Sequence, residues 1–145
     1  MNPLRQKPTL VFEMLDSVER QTNVQAKVNT LASLRCFELN SILQINFRPD
    51  IRMELPPGAV MFQRDNGDPD QSLRRTKSVI PEFKELDVRN RQLQPAQKLK
   101  KFIAMLESVN EREAEVFILA KDKKLQNKWK SINLQLVRRA IPGIV

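Results

Sequence analysis

The sequence of 145 residues contains no histidine, no tyrosine, one cysteine, one tryptophan and three glycines. Each shortage excludes a class of chemistry. Without histidine the commonest metal ligand and general base is missing, so zinc sites, Ser-His-Asp triads and Cys-His dyads are ruled out. The lone Cys36 forms no intrachain disulfide, and its apolar helical setting reads as that of a small buried hydrophobe rather than a nucleophile. There is no glycine-rich phosphate loop and no activated nucleophile, so the expectation is a protein without enzymatic activity, cofactor or metal. No apolar run nears the roughly 20 residues that span a bilayer. The opening Met1–Phe12 lacks the apolar stretch and small-residue cleavage site of a signal peptide, so a cytoplasmic protein with no membrane partner is expected.

What is present suffices for a core. Hydrophobic residues make up 41% of the chain and charged residues 29%, and a chain of this length buries about 68–70% of its unfolded surface. One domain over residues 1–145 is expected. Lys and Arg number 25 against 17 Asp and Glu, a net charge of +8, which favours an anionic partner such as nucleic acid or serves solubility. Residues 1–60 hold seven basic and six acidic side chains, residues 61–95 again seven and six, and residues 96–145 eleven and five. The excess sits in the last third.

Apolar spacing predicts a mainly α fold. Val11, Leu15 and Val18 fall at i, i+4 and i+7 behind Thr9 as N-cap, which predicts a helix over about 10–20. The series Val24, Val28, Leu31 and Leu34, Phe37, Ile42, Ile45 predict two more, the second from near Ser33, closing a small bundle. Ile51 to Leu55 alternates apolar and charged residues before Pro56-Pro57-Gly58, predicting a strand and a turn with Ala59–Phe62 as the return strand, a β element over 51–62. Such a ribbon needs helices or another chain to complete it. Residues 63–94 read as an irregular connector, with an exposed loop at 65–71 and a short helix around 71–79 ahead of Pro81. Residues 95–145 read as a basic three-helix unit. Pro95 opens its first helix, with Leu99, Phe102, Ile103 and Leu106 as the stripe and Lys98, Lys100 and Lys101 on other faces. Asn110 and Glu113 make a capping box for the second, and Asn133 caps the third, with Ile132 stapled to Val137 and Pro142-Gly143 as the stop.

The run LESVNEREAEVFILAKDKKL at 106–125, followed by RRAIP at 138–142, resembles the C-terminal signature of a family of small uncharacterised proteins of tailed bacteriophages, marine and T-even-like. Leu106-Glu107, Glu113-Ala114, Lys121–Leu125 and Ala140–Pro142 carry the match. The N-terminal half is similar in layout, helices followed by a strand-like segment. The resemblance implies a phage origin and the host cytoplasm as the place of work; it implies no chemistry.

The segment 121–130 gathers Lys121, Lys123, Lys124, Lys128 and Lys130 against one acid, Asp122, with Trp129 between two lysines. Lysines neutralise phosphates and an exposed indole stacks on a base, so one reading is a nucleic-acid site favouring single strands. The other is a solvated helix end whose lysines complement the dipole while Trp129 plugs the core. Arg138 and Arg139 extend the same surface, and with Asn133 and Gln135 they give a weak likeness to a helix-turn-helix reader. Arg89, Arg91, Lys98, Lys100 and Lys101 form a second basic stretch. Glu111, Glu113 and Glu115 are explained by the helix start. Asp65, Asp68 and Asp70 do not make a calcium loop, because position twelve is Thr76.

The leading expectation is a non-enzymatic protein that binds nucleic acid largely without sequence preference. The alternative is an adaptor for a phage or host protein in replication or transcription machinery, or a chain that assembles with itself. It draws on the strand 51–55 and the apolar first helix. A virion component facing packaged DNA is a third reading.

Overall fold

The computed structural model describes residues 8–62 and 73–145. Among them are eight helices: α1 (Val11–Glu19), α2 (Val24–Leu34), α3 (Phe37–Phe47), α4 (Thr76–Lys84), α5 (Pro95–Ser108), α6 (Glu111–Lys121), α7 (Leu125–Lys128) and α8 (Leu134–Ala140). The mainly α reading is therefore correct. The acidic loop residues Asp65, Asp68 and Asp70 lie outside the described residues.

α1 buries Val11, Phe12, Met14, Leu15 and Val18, so its wide apolar face is core. Thr9 is not its cap. Leu10 takes the extended N-cap conformation, and the N–H groups of Val11 and Phe12 donate to the two carboxylate oxygens of Glu113, at 2.8 and 3.0 Å. α2 begins where Asn23 accepts from the Ala26 N–H at 2.8 Å, the usual side-chain cap. Its first apolar residue, Val24, is 57% exposed rather than core. α3 starts at Phe37, later than the spacing predicts, and Phe37 is half-exposed with the Lys84 ammonium 4.8 Å above its ring.

The β element at 51–62 does not form. Among the described residues the only β pairing is an isolated antiparallel bridge between Met53 and Asp87, closed by Glu54 N–H to Leu86 O and Val88 N–H to Arg52 O, both 2.8 Å. Ala59–Phe62 makes no return strand because the turn is held by α6 instead. The Lys121 ammonium donates to Pro56 O and Gly58 O at 2.8 Å, and the Gly58 N–H donates to the Asp122 carboxylate at 2.8 Å. Pro56 and Pro57 have no N–H to offer a ladder in any case.

α4 lies within the stretch that reads as a connector, and Thr76, Val79, Ile80 and Phe83 are buried. Pro81 sits inside it rather than ending it; the ring is exposed, so the hydrogen bond it forfeits faces water. α5 does start at Pro95, but its buried face is Lys98, Phe102, Met105 and Leu106, with Leu99 and Ile103 only partly covered. Phe83 stacks on Phe102 at 5.8 Å and meets Phe117 edge-on at 5.0 Å, which places α4, α5 and α6 around one aromatic centre. α6 packs on α1, α3 and α5, and α8 packs on α2. The C-terminal helices are thus built into the N-terminal ones.

Candidate nucleic-acid interface

The lysine-rich turn after α6 divides into residues that hold the fold and residues that face water. Lys121 is buried, and its ammonium is taken by the two carbonyls above and by Asp122 at 2.9 Å. Lys123 adopts φ 61°, the left-handed region that disfavours a side chain. In that position its ammonium donates to Ile45 O and Arg48 O, both at 2.7 Å. These are carbonyls at the end of α3, so a cation meets the negative end of a helix dipole. Burial pulls the Lys123 pKa below the ordinary lysine value, with Asp50 and Asp87 pulling the other way. Neither Lys121 nor Lys123 is free to meet a phosphate.

Trp129 is 2% exposed, which corrects the stacking reading. Its indole N–H donates to Asp16 Oδ1 at 2.8 Å, while Asp16 Oδ2 pairs with Arg112 at 3.0 Å. The ring is the core plug that joins the α7 turn to α1. Lys128 is exposed but ion-paired with Glu115, its ammonium 5.4 Å from the Trp129 ring centre. In the second basic stretch Lys98 is fully buried, bridging Glu54 at 2.8 Å and the Asp87 carbonyl at 2.9 Å. Arg89 pairs with Asp87 and Lys101 with Glu85. Only Arg91 and Lys100 of that stretch stay exposed with no acid against them among the described residues.

Four residues of the predicted site remain. Lys124, Lys130, Arg138 and Arg139 are exposed, and among the described residues no carboxylate reaches them. α8 presents its pair because Asn133 caps it as expected, accepting from the Leu136 N–H at 2.9 Å. Ile132, Leu136 and Val137 fix its inner face and leave Arg138 and Arg139 outward.

Beside them lies a groove of about 220 Å³ between α2 and α8, with Lys27, Ser131, Asn133, Gln135 and Arg139 among its lining residues. Lys27 hydrogen-bonds the Ser131 hydroxyl, and Arg139 stands 3.4 Å from the Gln25 amide oxygen. Lys27 was not legible as a site residue, since it lies in the charge-balanced first third and meets Ser131 only through the packing of α2 on α8.

Cys36 is half-buried, and burial raises its thiol pKa. Among the described residues no group of three or more His, Cys, Asp or Glu side chains is placed to hold a metal. Nor is any helix among them long and apolar enough to cross a membrane.

No curated protein and no solved structure matches the chain. Residues 14–127, from inside α1 to inside α7, match the model of a family described as a family of unknown function (DUF6433), and the chain belongs to that family.

Proposed function

We propose that this is a non-enzymatic phage protein that binds nucleic acid largely without sequence preference, in the host cytoplasm, through Lys124, Lys130, Arg138 and Arg139. The phage origin is supported by the resemblance of 106–125 and 138–142 described above. The observation that carries the binding role is the division within the basic third. Lys121, Lys123 and Lys128 are engaged by carbonyls and acids, whereas these four cations are exposed and unopposed among the described residues. Cations of that kind neutralise phosphates by releasing counterions and need no base contact. With Trp129 inside the core, the mode is backbone contact rather than base stacking.

Reversing the charge at all four positions (Lys124→Glu, Lys130→Glu, Arg138→Glu and Arg139→Glu) is expected to abolish oligonucleotide binding in fluorescence anisotropy. Thermal unfolding should stay within a few degrees of the parent, because exposed substitutions shift stability by about 0.5 kcal/mol or less each. Unchanged affinity overturns the placement.

An adaptor role has a separate observation in its favour. A groove of about 380 Å³ runs between residues 53–56 and the start of α5, lined by Met53, Leu55, Pro56, Pro95 and Leu99 among others. Among the described residues the extended segment beside it is paired by a single bridge. The buried first helix no longer supports this reading. A monomer in light scattering, with no protein retained in a nuclease-treated pull-down, counts against it.

A further inference from the structure

We infer that the groove between α2 and α8 is a pocket for the terminal phosphate of a nucleic-acid strand, an assignment that rests on the nucleic-acid reading above and gives it a fixed end. Beside the apolar side chains of Val24 and Leu136, the groove is lined by hydrogen-bond donors of the right kind. Lys27 is half-buried and held in place by the Ser131 hydroxyl. Arg139 reaches over from α8, and its hydrogen bond to Gln25, the one it makes among the described residues, is long at 3.4 Å. Asn133 has its carbonyl oxygen occupied by the Leu136 N–H at 2.9 Å, which leaves its amide N–H groups as donors.

Among the described residues that line the groove there is no carboxylate. Glu19, which touches this region, accepts from the Ser131 N–H at 3.0 Å and is not part of the lining.

Size and charge select the ligand. At about 220 Å³ the groove falls below the roughly 300–1,000 Å³ of pockets that enclose a drug-sized molecule, so it suits one phosphate group rather than a whole nucleotide. A phosphate monoester carries about −1.5 to −2 charge near pH 7 and three acceptor oxygens, which matches two cations and two or three neutral donors. An internal phosphodiester, with one charge and two free oxygens, leaves part of that set unmatched. Lys130 precedes Ser131 and Arg138 precedes Arg139 in the chain, so the cations of the general binding surface start where the pocket ends.

The test is competition anisotropy with one oligonucleotide sequence made in three forms: 5′-phosphorylated, 3′-phosphorylated, and with hydroxyls at both ends. One phosphorylated form is expected to compete roughly tenfold better than the hydroxyl form, the scale of a charge-assisted contact. Lys27→Gln and Arg139→Gln should each erase that gain, and Lys27→Arg should keep it. Inorganic phosphate at constant ionic strength should also erase it. Trp129 emission and the unfolding midpoint show whether each variant is folded. Equal competition by all three forms overturns the pocket while leaving general nucleic-acid binding in place. A gain that survives both Gln substitutions also overturns it. No binding of any form overturns both proposals.

Discussion

Glu113 occupies the N3 position that a capping box assigns to it behind Asn110, yet its carboxylate leaves its own helix and caps α1. It accepts from Val11 and Phe12 N–H at 2.8 and 3.0 Å and from the Thr76 hydroxyl, fully buried. Asn110 alone caps α6, accepting from the Arg112 N–H at 2.9 Å. Truncation by Glu113→Ala leaves two helix-end donors and a hydroxyl unsatisfied inside the core. It should cost about 2–3 kcal/mol in urea denaturation. Burial is the larger influence on this carboxyl and raises its pKa above the ordinary glutamate value, against the opposing pull of Thr76, Phe12 and Val11. The sign follows: between the unfolded and folded pKa values the native state binds more protons, so this contribution to stability is full below the ordinary value, about 4.3. It declines as pH rises through the raised one. The stability difference between the parent and Glu113→Gln should therefore fall as pH rises from about 4. A flat difference contradicts the assignment. Asn110 was legible because a cap bonds its own helix; the partners of Glu113 lie 37 to 102 residues away, beyond any local pattern.

At the scale of elements, the same contrast separates what the sequence predicts from what folding decides. α2, α6 and α8 begin at Asn23, Asn110 and Asn133, whose side chains accept from the backbone of their own first turn, and α5 begins at Pro95, whose ring presets the helical φ; all four are local signals. The 51–55 alternation is real, since Ile51, Met53 and Leu55 pack partly against the core, but its partner is the 86–88 segment and its turn belongs to α6. Charged residues read as surface prove to be struts: Lys98 to Glu54 and Asp87, Lys121 to Pro56 and Gly58, Lys123 to the end of α3. Periodicity does not distinguish a lysine that faces water from one whose ammonium meets backbone carbonyls. Lys121→Met and Lys123→Met should each lower stability by about 1–3 kcal/mol, the cost of leaving buried acceptors unpaired. Both should retain most of the oligonucleotide affinity. Loss of affinity with stability intact shows instead that these ammonium groups reach the ligand.

For the whole molecule, the useful quantity is how much of the +8 is presented on one surface. The sequence placed the excess correctly in residues 96–145 but overstated the cations free to act, because half of the eight predicted site residues are engaged by carbonyls, Asp122 and Glu115 or, for Trp129, by Asp16. Four phosphates neutralised by Lys124, Lys130, Arg138 and Arg139 predict a log–log salt slope of about −3 for single strands and about −4 for duplex. Seven or more cations acting together give a slope steeper than about −5 for single strands, a result that would return Lys121, Lys123 and Lys128 to the interface. Trp129 reports independently in the same titration, since it is the sole tryptophan and is held by Asp16. Binding along the backbone leaves its emission unchanged, whereas quenching that tracks occupancy requires the indole to leave the core, and the α1–α7 junction to open, when the strand binds.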